Sequence, residues 1–252
     1  MATIPLFSGV NIIELDETTS TNDYAKQLIE NEKPLEGTVI IAKHQTKGRG
    51  QKGNFWLSEP GSNLTCSYIF YPVFLSADKS FFLNVAVSLA VKEVCEVFLE
   101  DEVKIKWPND IYYQNKKIAG ILIENTVSGA TVITSIVGIG INVNQTKFEL
   151  SLPNPASLKY FISEDIPIEK VLQTLNIYIE KYYLQLRQQH FHFLQRAYTE
   201  ALFRYNQTAY FKKGDNIFKG EIVGISKDGK IIIQSQGKEM RFSIQEIQFV
   251  LD

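Results

Sequence analysis

Residues 104–142 read KIKWPNDIYYQNKKIAGILIENTVSGATVITSIVGIGIN. Three strands are predicted around this stretch, at VKIKW, at AGILIEN and over TVITSIVGIGINV. The last is nearly continuously apolar, the pattern of a strand covered on both faces, so it belongs at the centre of a sheet. Between the strands, Pro108 follows a large aromatic and leads into Asn109 and Asp110. That run turns the chain at a strand end while presenting an amide and a carboxylate, although turn formation alone accounts for it. Lys117 stands just ahead of AGILIEN and its close-packing Gly120, on a rigid mount.

Working outward, NIIEL near residue 11, TVIIAKH from Thr38 and NLTCSYIF also alternate as strands, the last with Leu64, Cys66, Tyr68 and Phe70 on one face of a half-buried strand. Ser20, Thr21 or Asn22 can cap a short helix carrying Tyr24, Ala25, Leu28 and Ile29. Steps of three and four through Leu83, Val87, Val91, Val94 and Phe98 predict a long amphipathic helix against the sheet. Helical spacing returns from Ile168 to Leu186, and a second helical pattern extends to about Tyr205. The first two hundred residues are therefore α+β, a mixed sheet flanked by helices.

After Asn206 the texture changes to IFKGEIVGI, KIIIQS, EMRFSI and IQFVL, separated by turn formers at Asp228, Gly229 and Gly237. This spacing predicts a small β-barrel, and divides the chain into residues 1–206 and 207–252. Seven Lys and Arg against six Asp and Glu give the second segment a net charge of +1, less basic than an RNA-binding barrel. The whole chain of 252 residues carries 26 basic and 28 acidic side chains, a net of −2, which argues against nonspecific DNA binding. Two cysteines, Cys66 and Cys95, make no disulfide framework. The start lacks the pattern of a secretory signal, and no apolar run reaches the roughly 18 residues of a membrane span, so a cytoplasmic location is expected.

Chemistry concentrates in KHQTKGRGQKGNFWLS, residues 43–58, which hold Lys43, Lys47, Arg49 and Lys52 and no acid. Gly48, Gly50 and Gly53 allow close backbone approach, and Arg49 offers a planar fork to an anion. For the glycines alone, a solvated basic loop is the simpler reading. The run satisfies GxGxxG, but Pro60 and Gly61 follow where a dinucleotide-binding helix would open. A Walker A loop also fails, because Asn54 follows the last glycine. A lone Lys117 would be read as a surface charge. If it converges with Gly48–Gly53, the site has a backbone cradle, a guanidinium and an ammonium, suited to phosphoryl or nucleotidyl chemistry. No zinc spacing, nucleophile elbow or cysteine nucleophile competes, and His190 and His192 are two apart on a helix and cannot share a face.

Five motifs in order, STN at Ser20–Asn22, GRGQKGNFW at Gly48–Trp56, KWPND at Lys106–Asp110, KIAG at Lys117–Gly120 and GIGIN at Gly138–Asn142, resemble the biotin protein ligases. The resemblance spans the first 142 residues, and a small C-terminal barrel of the Src-homology-3 kind follows the same plan. It implies a class II synthetase-like catalytic domain and a two-step, ATP-dependent, AMP-forming reaction. Biotin is activated as biotinyl-AMP and then passed to a lysine of the biotin carboxyl carrier domain of acetyl-CoA carboxylase or a related carboxylase.

Carried over by motif, Ser20, Thr21, Asn22 and Gln45 line the biotin head pocket, with Gly48 and Gly120 also at the biotin site. Lys117 holds the biotin carboxylate and the α-phosphate. Arg49, Gly50, Gln51, Trp56, Lys106, Asn109 and Asn142 fall to ATP or the adenylate, and Asp110 to magnesium or to the acceptor lysine. Arg49 orders the loop and shields the anhydride. Lys117, Arg49 and Asp110 are the catalytic candidates.

The residue after GRG is Gln51, where the resemblance to bacterial biotin protein ligases implies arginine, so one cation over the phosphates is missing unless Lys52 substitutes for it in part. About ten residues precede the first strand, so a ligase without the helix-turn-helix repressor domain and without operator binding is expected. Relatives can pair edge to edge through their sheets, which allows a homodimer. The rivals are a lipoate protein ligase, disfavoured by KWPND with KIAG, and a noncatalytic nucleotide or RNA binder.

Overall fold

The structure is a computed structural model that describes residues 5–149 and 154–250. In chain order its elements are β1 (Ile12–Thr18), α1 (Thr21–Asn31), β2 (Val39–Gln45), β3 (Leu64–Phe70), α2 (Phe81–Leu99), β4 (Lys104–Lys106), β5 (Asp110–Tyr113), β6 (Lys116–Ser128) and β7 (Thr131–Ile141). There follow α3 (Leu158–Ile162), α4 (Ile168–Arg187), α5 (Phe191–Glu200), β8 (Thr208–Lys213), β9 (Asn216–Ile225), β10 (Ile231–Ser235), β11 (Lys238–Phe242) and β12 (Gln248–Phe249).

The first seven strands form one mixed sheet in the order β1-β2-β3-β7-β6-β5-β4. Only β1 and β2 run parallel; the remaining neighbours are antiparallel. The apolar strand β7 lies at the middle of the seven, as its composition predicts. Beside it, all seven residues of β3 are buried, so the half-buried reading of that strand is corrected. Leu64, Cys66, Tyr68 and Phe70 belong to the main core, which includes α2 and α4, whereas Ile69 packs in a separate cluster with Ala25 of α1, Ile40 and Ile136. Each large aliphatic side chain in that small cluster contributes about 1.5–3 kcal/mol when withdrawn from water.

Helix α2 is buried almost all round rather than along one stripe, because α4 and α5 pack on it from outside the sheet. Helix α5 stops at Glu200, short of the expected Tyr205. The next residues leave the helix to cover the edge strand β4: Ile105 donates its amide to Ala201 O and Phe203 donates to Ile105 O, both at 2.8 Å. With Leu202 and Phe203 buried there, this edge offers no free ladder. At the other end β1 stays open, with a charged sequence.

Strands β8 to β12 make a second, antiparallel sheet in the order β11-β10-β9-β8-β12. The barrel expected from the sequence is met only as far as this sheet, since its end strands β11 and β12 are not paired with each other. The two sheets share one continuous core. Trp107 donates its indole N–H to Gly229 O at 2.9 Å, Gln195 Nε2 donates to Ile225 O at 2.7 Å, and Gly229 lies so close to the Phe81 ring that a Cβ would sit 2.3 Å from it.

Candidate active site

A cavity of about 220 Å³ opens above the face of the large sheet that carries α1. Its floor is made by glycines of β7, whose alternate residues Ile139 and Ile141 point into the main core. A Cβ at Gly138 would lie 2.4 Å from Asn22 Oδ1, and one at Gly140 would lie 2.2 Å from the indole of Trp56. Only hydrogen at these two positions lets the cavity's own walls reach the sheet.

One end of the cavity is polar. Ser20, Thr21 and Asn22, at the start of α1, are each about 97% buried and face Gln45 at the end of β2. Gln45 Oε1 accepts from the Thr21 amide at 2.8 Å and from its hydroxyl at 3.1 Å. Ser67, fully buried on β3, places its Oγ 2.7 Å from Thr21 Oγ1 and 2.6 Å from Asn22 Oδ1. Ser67 carries chemistry that the strand reading passed over, because one small hydroxyl among apolar neighbours gives no pattern of its own.

The basic loop folds back over this floor. Gly50 donates to Asn54 O at 2.7 Å and Trp56 donates to Gly48 O at 2.9 Å, so residues 48–56 form a tight hairpin with a turn of 3-10 helix at Gln51–Gly53. Phe55 points outward and is 70% exposed. Trp56 instead turns in, against Gly140 and Gly120, and its buried Nε1 has no partner. A buried donor without an acceptor costs about 1–3 kcal/mol, which a ligand acceptor at that point would recover.

Lys117 approaches from the opposite side. Its Nζ lies 2.6 Å from Asp110 Oδ1 and 5.7 Å from the Trp56 ring centroid. The pairing follows from register: Asp110 stands opposite Gly120 in the β5–β6 ladder, and an irregularity after Ile111 puts Lys117 opposite Tyr112. Asn109 is spent on the same turn, donating its amide to Ile121 O and accepting the Ile121 N–H through its backbone.

Arg49 does not stand free to meet a phosphate, as the acid-free loop led us to expect. Its Nη1 and Nη2 fork onto Glu124 at 3.0 and 2.7 Å, and Nη2 also meets Asp23 at 2.8 Å. Burial lowers the guanidinium pKa but Glu124 and Asp23 outweigh it, so the net direction is up.

Ser20, Thr21, Asn22, Gln45, Arg49, Gly50, Gln51, Trp56, Asn109, Asp110, Lys117 and Gly120 thus share one cavity. Three expected members are not on its wall. Gly48 closes the base of the loop, where a Cβ would lie 2.3 Å from Trp56 O. Lys106 sits outside, with its Nζ 3.2 Å from Tyr112 Oη and over the Tyr112 and Phe249 rings. Asn142 donates to Ala156 O at 3.0 Å and holds the segment leading to α3. Among the described residues no cluster of three or more potential metal ligands is present.

The profile of the biotin/lipoate A/B protein ligase family matches residues 14–142, a little over half of the chain. The chain belongs to that family. The matched segment of the biotin/lipoate ligases covers almost all of the large sheet and every cavity residue. Among curated members, the bifunctional ligase/repressor BirA of Bacillus spizizenii is 31% identical over 231 residues, covering 90% of this chain and 70% of that protein. The biotin–acetyl-CoA-carboxylase ligase of Paracoccus denitrificans is 26% identical over 243 residues, 93% of this chain and 99% of its own. Among solved structures, biotin protein ligase from Aquifex aeolicus in complex with biotin and ATP superposes with a TM-score of 0.81 at 27% identity, covering 96% of this chain and all of that one.

Proposed function

We propose that the chain is a biotin protein ligase that activates biotin with ATP to biotinyl-AMP and transfers biotin to a lysine of a carboxylase carrier domain. The observation that carries this reading is a single cavity with a hydroxyl and amide cluster at one end, a glycine floor, and Lys117 at the other end. Biotin has the same order of parts: a polar ureido ring, an apolar chain and a carboxylate. The lipoate alternative fits less well, because an apolar dithiolane ring would offer no hydrogen bond to the polar end of the cavity formed by Ser20, Thr21, Asn22 and Gln45.

In this reading Lys117 offers its remaining N–H bonds to the carboxylate and the α-phosphate while Asp110 keeps one, so the ammonium brings two anions together without moving. Trp56, beside Lys117, supplies an aromatic wall for the adenylate. The loop over residues 48–56 excludes water from an anhydride that hydrolyses readily. Asp110 alone is a poor resident magnesium site; one carboxylate paired with an ammonium fits an ion that arrives on the phosphates of ATP.

We further assign residues 1–206 to the catalytic domain and 207–252 to a small Src-homology-3-like module, the extreme residues of both lying outside the described ones. A homodimer of edge-paired sheets would form through β1, since β4 is covered. Among the described residues no helix is long and apolar enough to cross a membrane, in keeping with the proposed cytoplasmic location. The test is incubation with ATP, magnesium and an isolated carrier domain, with biotin or lipoate in parallel. Mass gain of the carrier with biotin and release of AMP support the reading; transfer of lipoate alone overturns it.

A further inference from the structure

A continuous chain of polar contacts joins the loop to the far end of the cavity, and Glu124 is its junction. Glu124 Oε2 accepts from Arg49 Nη2 at 2.7 Å and from Asn22 Nδ2, also at 2.7 Å. Asn22 then meets Ser67, Ser67 meets Thr21, and Thr21 meets Gln45. Glu124 is not itself among the residues on the cavity wall. We propose that Glu124 is a positioning residue that makes closure of the loop and orientation of the biotin head pocket one event. The proposal rests on the reading of the cavity as a biotin site.

The physical basis is the one-way chemistry of a carboxylate, which accepts and never donates. Facing Glu124, the amide of Asn22 must present its nitrogen, and its oxygen therefore faces Ser67. Remove the carboxylate and only the long contact of Asn22 Nδ2 with Leu122 O, at 3.5 Å, still favours this orientation; an amide that turns over reverses the donor and acceptor pattern passed along to Ser67 and Thr21. The same carboxylate holds the planar fork of Arg49 in two parallel bonds, a geometry that fixes the arginine in direction as well as distance. Arg49 Nε is buried without a partner, so the guanidinium is held by its two outer nitrogens.

Asp23 separates the two roles. It also pairs with Arg49, at 2.8 Å, whereas the Asn22 amide bonds to Glu124. It grips the loop without informing the pocket. Linkage requires that if a closed loop favours biotin, biotin favours the closed loop by the same factor, and the contacts of Glu124 with both Arg49 and Asn22 provide the connection.

The experiment uses the full chain with biotin and no ATP, and follows limited trypsin cleavage after Lys47 and Arg49 together with biotin affinity by calorimetry. In the parent protein saturating biotin is expected to slow cleavage about tenfold or more, within the range for coupled sites. In Glu124→Gln, saturating biotin should slow it less than about twofold, with weaker biotin binding. Asp23→Asn should be cleaved faster without biotin, yet be protected by biotin to the parental degree. Should Glu124→Gln fail to fold, Arg49→Gln breaks the same connection from the loop side and is expected to lose biotin-dependent protection at Lys47. Protection of Glu124→Gln, or of Arg49→Gln in its place, equal to the parent overturns the coupling, as does a parent that binds biotin without protection. A parent protein that binds no biotin overturns the reading of the site instead.

Discussion

Lys117 and Asp110 face each other across adjacent strands, with Nζ 2.6 Å from Oδ1, and both side chains are about three-quarters buried. An ammonium fixed in this way is held in position by the sheet before any substrate arrives, so no side-chain ordering remains to be done when charge develops beside it. Lys117→Ala is expected to slow biotinyl-AMP formation roughly a hundredfold or more, the scale of losing a preorganised electrostatic donor. Pyrophosphate release in a single turnover measures it, and a parental rate would remove Lys117 from the mechanism.

Gly140→Ala is expected to push Trp56 off the floor. Its Cβ would come within 2.2 Å of the indole, and overpacking of this kind costs roughly 1–3 kcal/mol. A lowered melting temperature should accompany a shift in tryptophan emission towards that of an exposed indole. Emission identical to the parent would show that the floor accommodates a methyl group.

Gln51→Arg should lengthen retention of the intermediate. Gln51 lines the cavity, and an added guanidinium there can bond a phosphate oxygen, an interaction with a charged group worth about tenfold or more in release rate. Chasing labelled biotinyl-AMP from the two proteins compares them directly. Equal release rates would show that residue 51 does not reach the adenylate.

Lys106 gives a pH test. Burial against Tyr112 and Phe249 is the largest influence on its ammonium and holds its pKa below the usual lysine value, Asp110 notwithstanding. The folded protein therefore releases this proton at lower pH than the unfolded chain does. Below the folded pKa the buried charge works against folding, and that penalty fades as pH rises towards the unfolded value of 10.5. Lys106→Met should be more stable than the parent at neutral pH, with the difference shrinking in the alkaline range. Denaturant titrations across that range measure it; a difference that grows with pH would reverse the assignment.

The sequence reading reached six of the seven strands of the large sheet and most of the cavity because their signals are local; β5, only four residues long, shows no period of its own. Alternation marks β2 and β3, a nearly continuous apolar run marks β7, and four of the five short motifs bring eleven expected residues, joined by Gln45, to one wall. What it missed depends on distance along the chain. Arg49 looked unopposed because its partners, Asp23 and Glu124, come from a helix and a strand that only the folded sheet brings beside the loop. Ser67 alternates as a strand residue should, and its role appears only once α1 is laid over it. Lys106 and Asn142 were carried by motif and turned out to belong to packing nearby, where a neighbouring residue in the same motif does reach the cavity. The open end of the second sheet was invisible for the same reason, since strand spacing does not say which edges meet.

The bond from Trp107 to Gly229 ties the WPND turn to a sheet that contributes nothing to the cavity wall. A chain cut after Asn206 would leave that indole wet and unanchored, and Asp110 stands only three residues further on. Loss of the tail would then mimic damage at the reaction centre, so inactivity in such a fragment would report a fallen buttress rather than a missing participant.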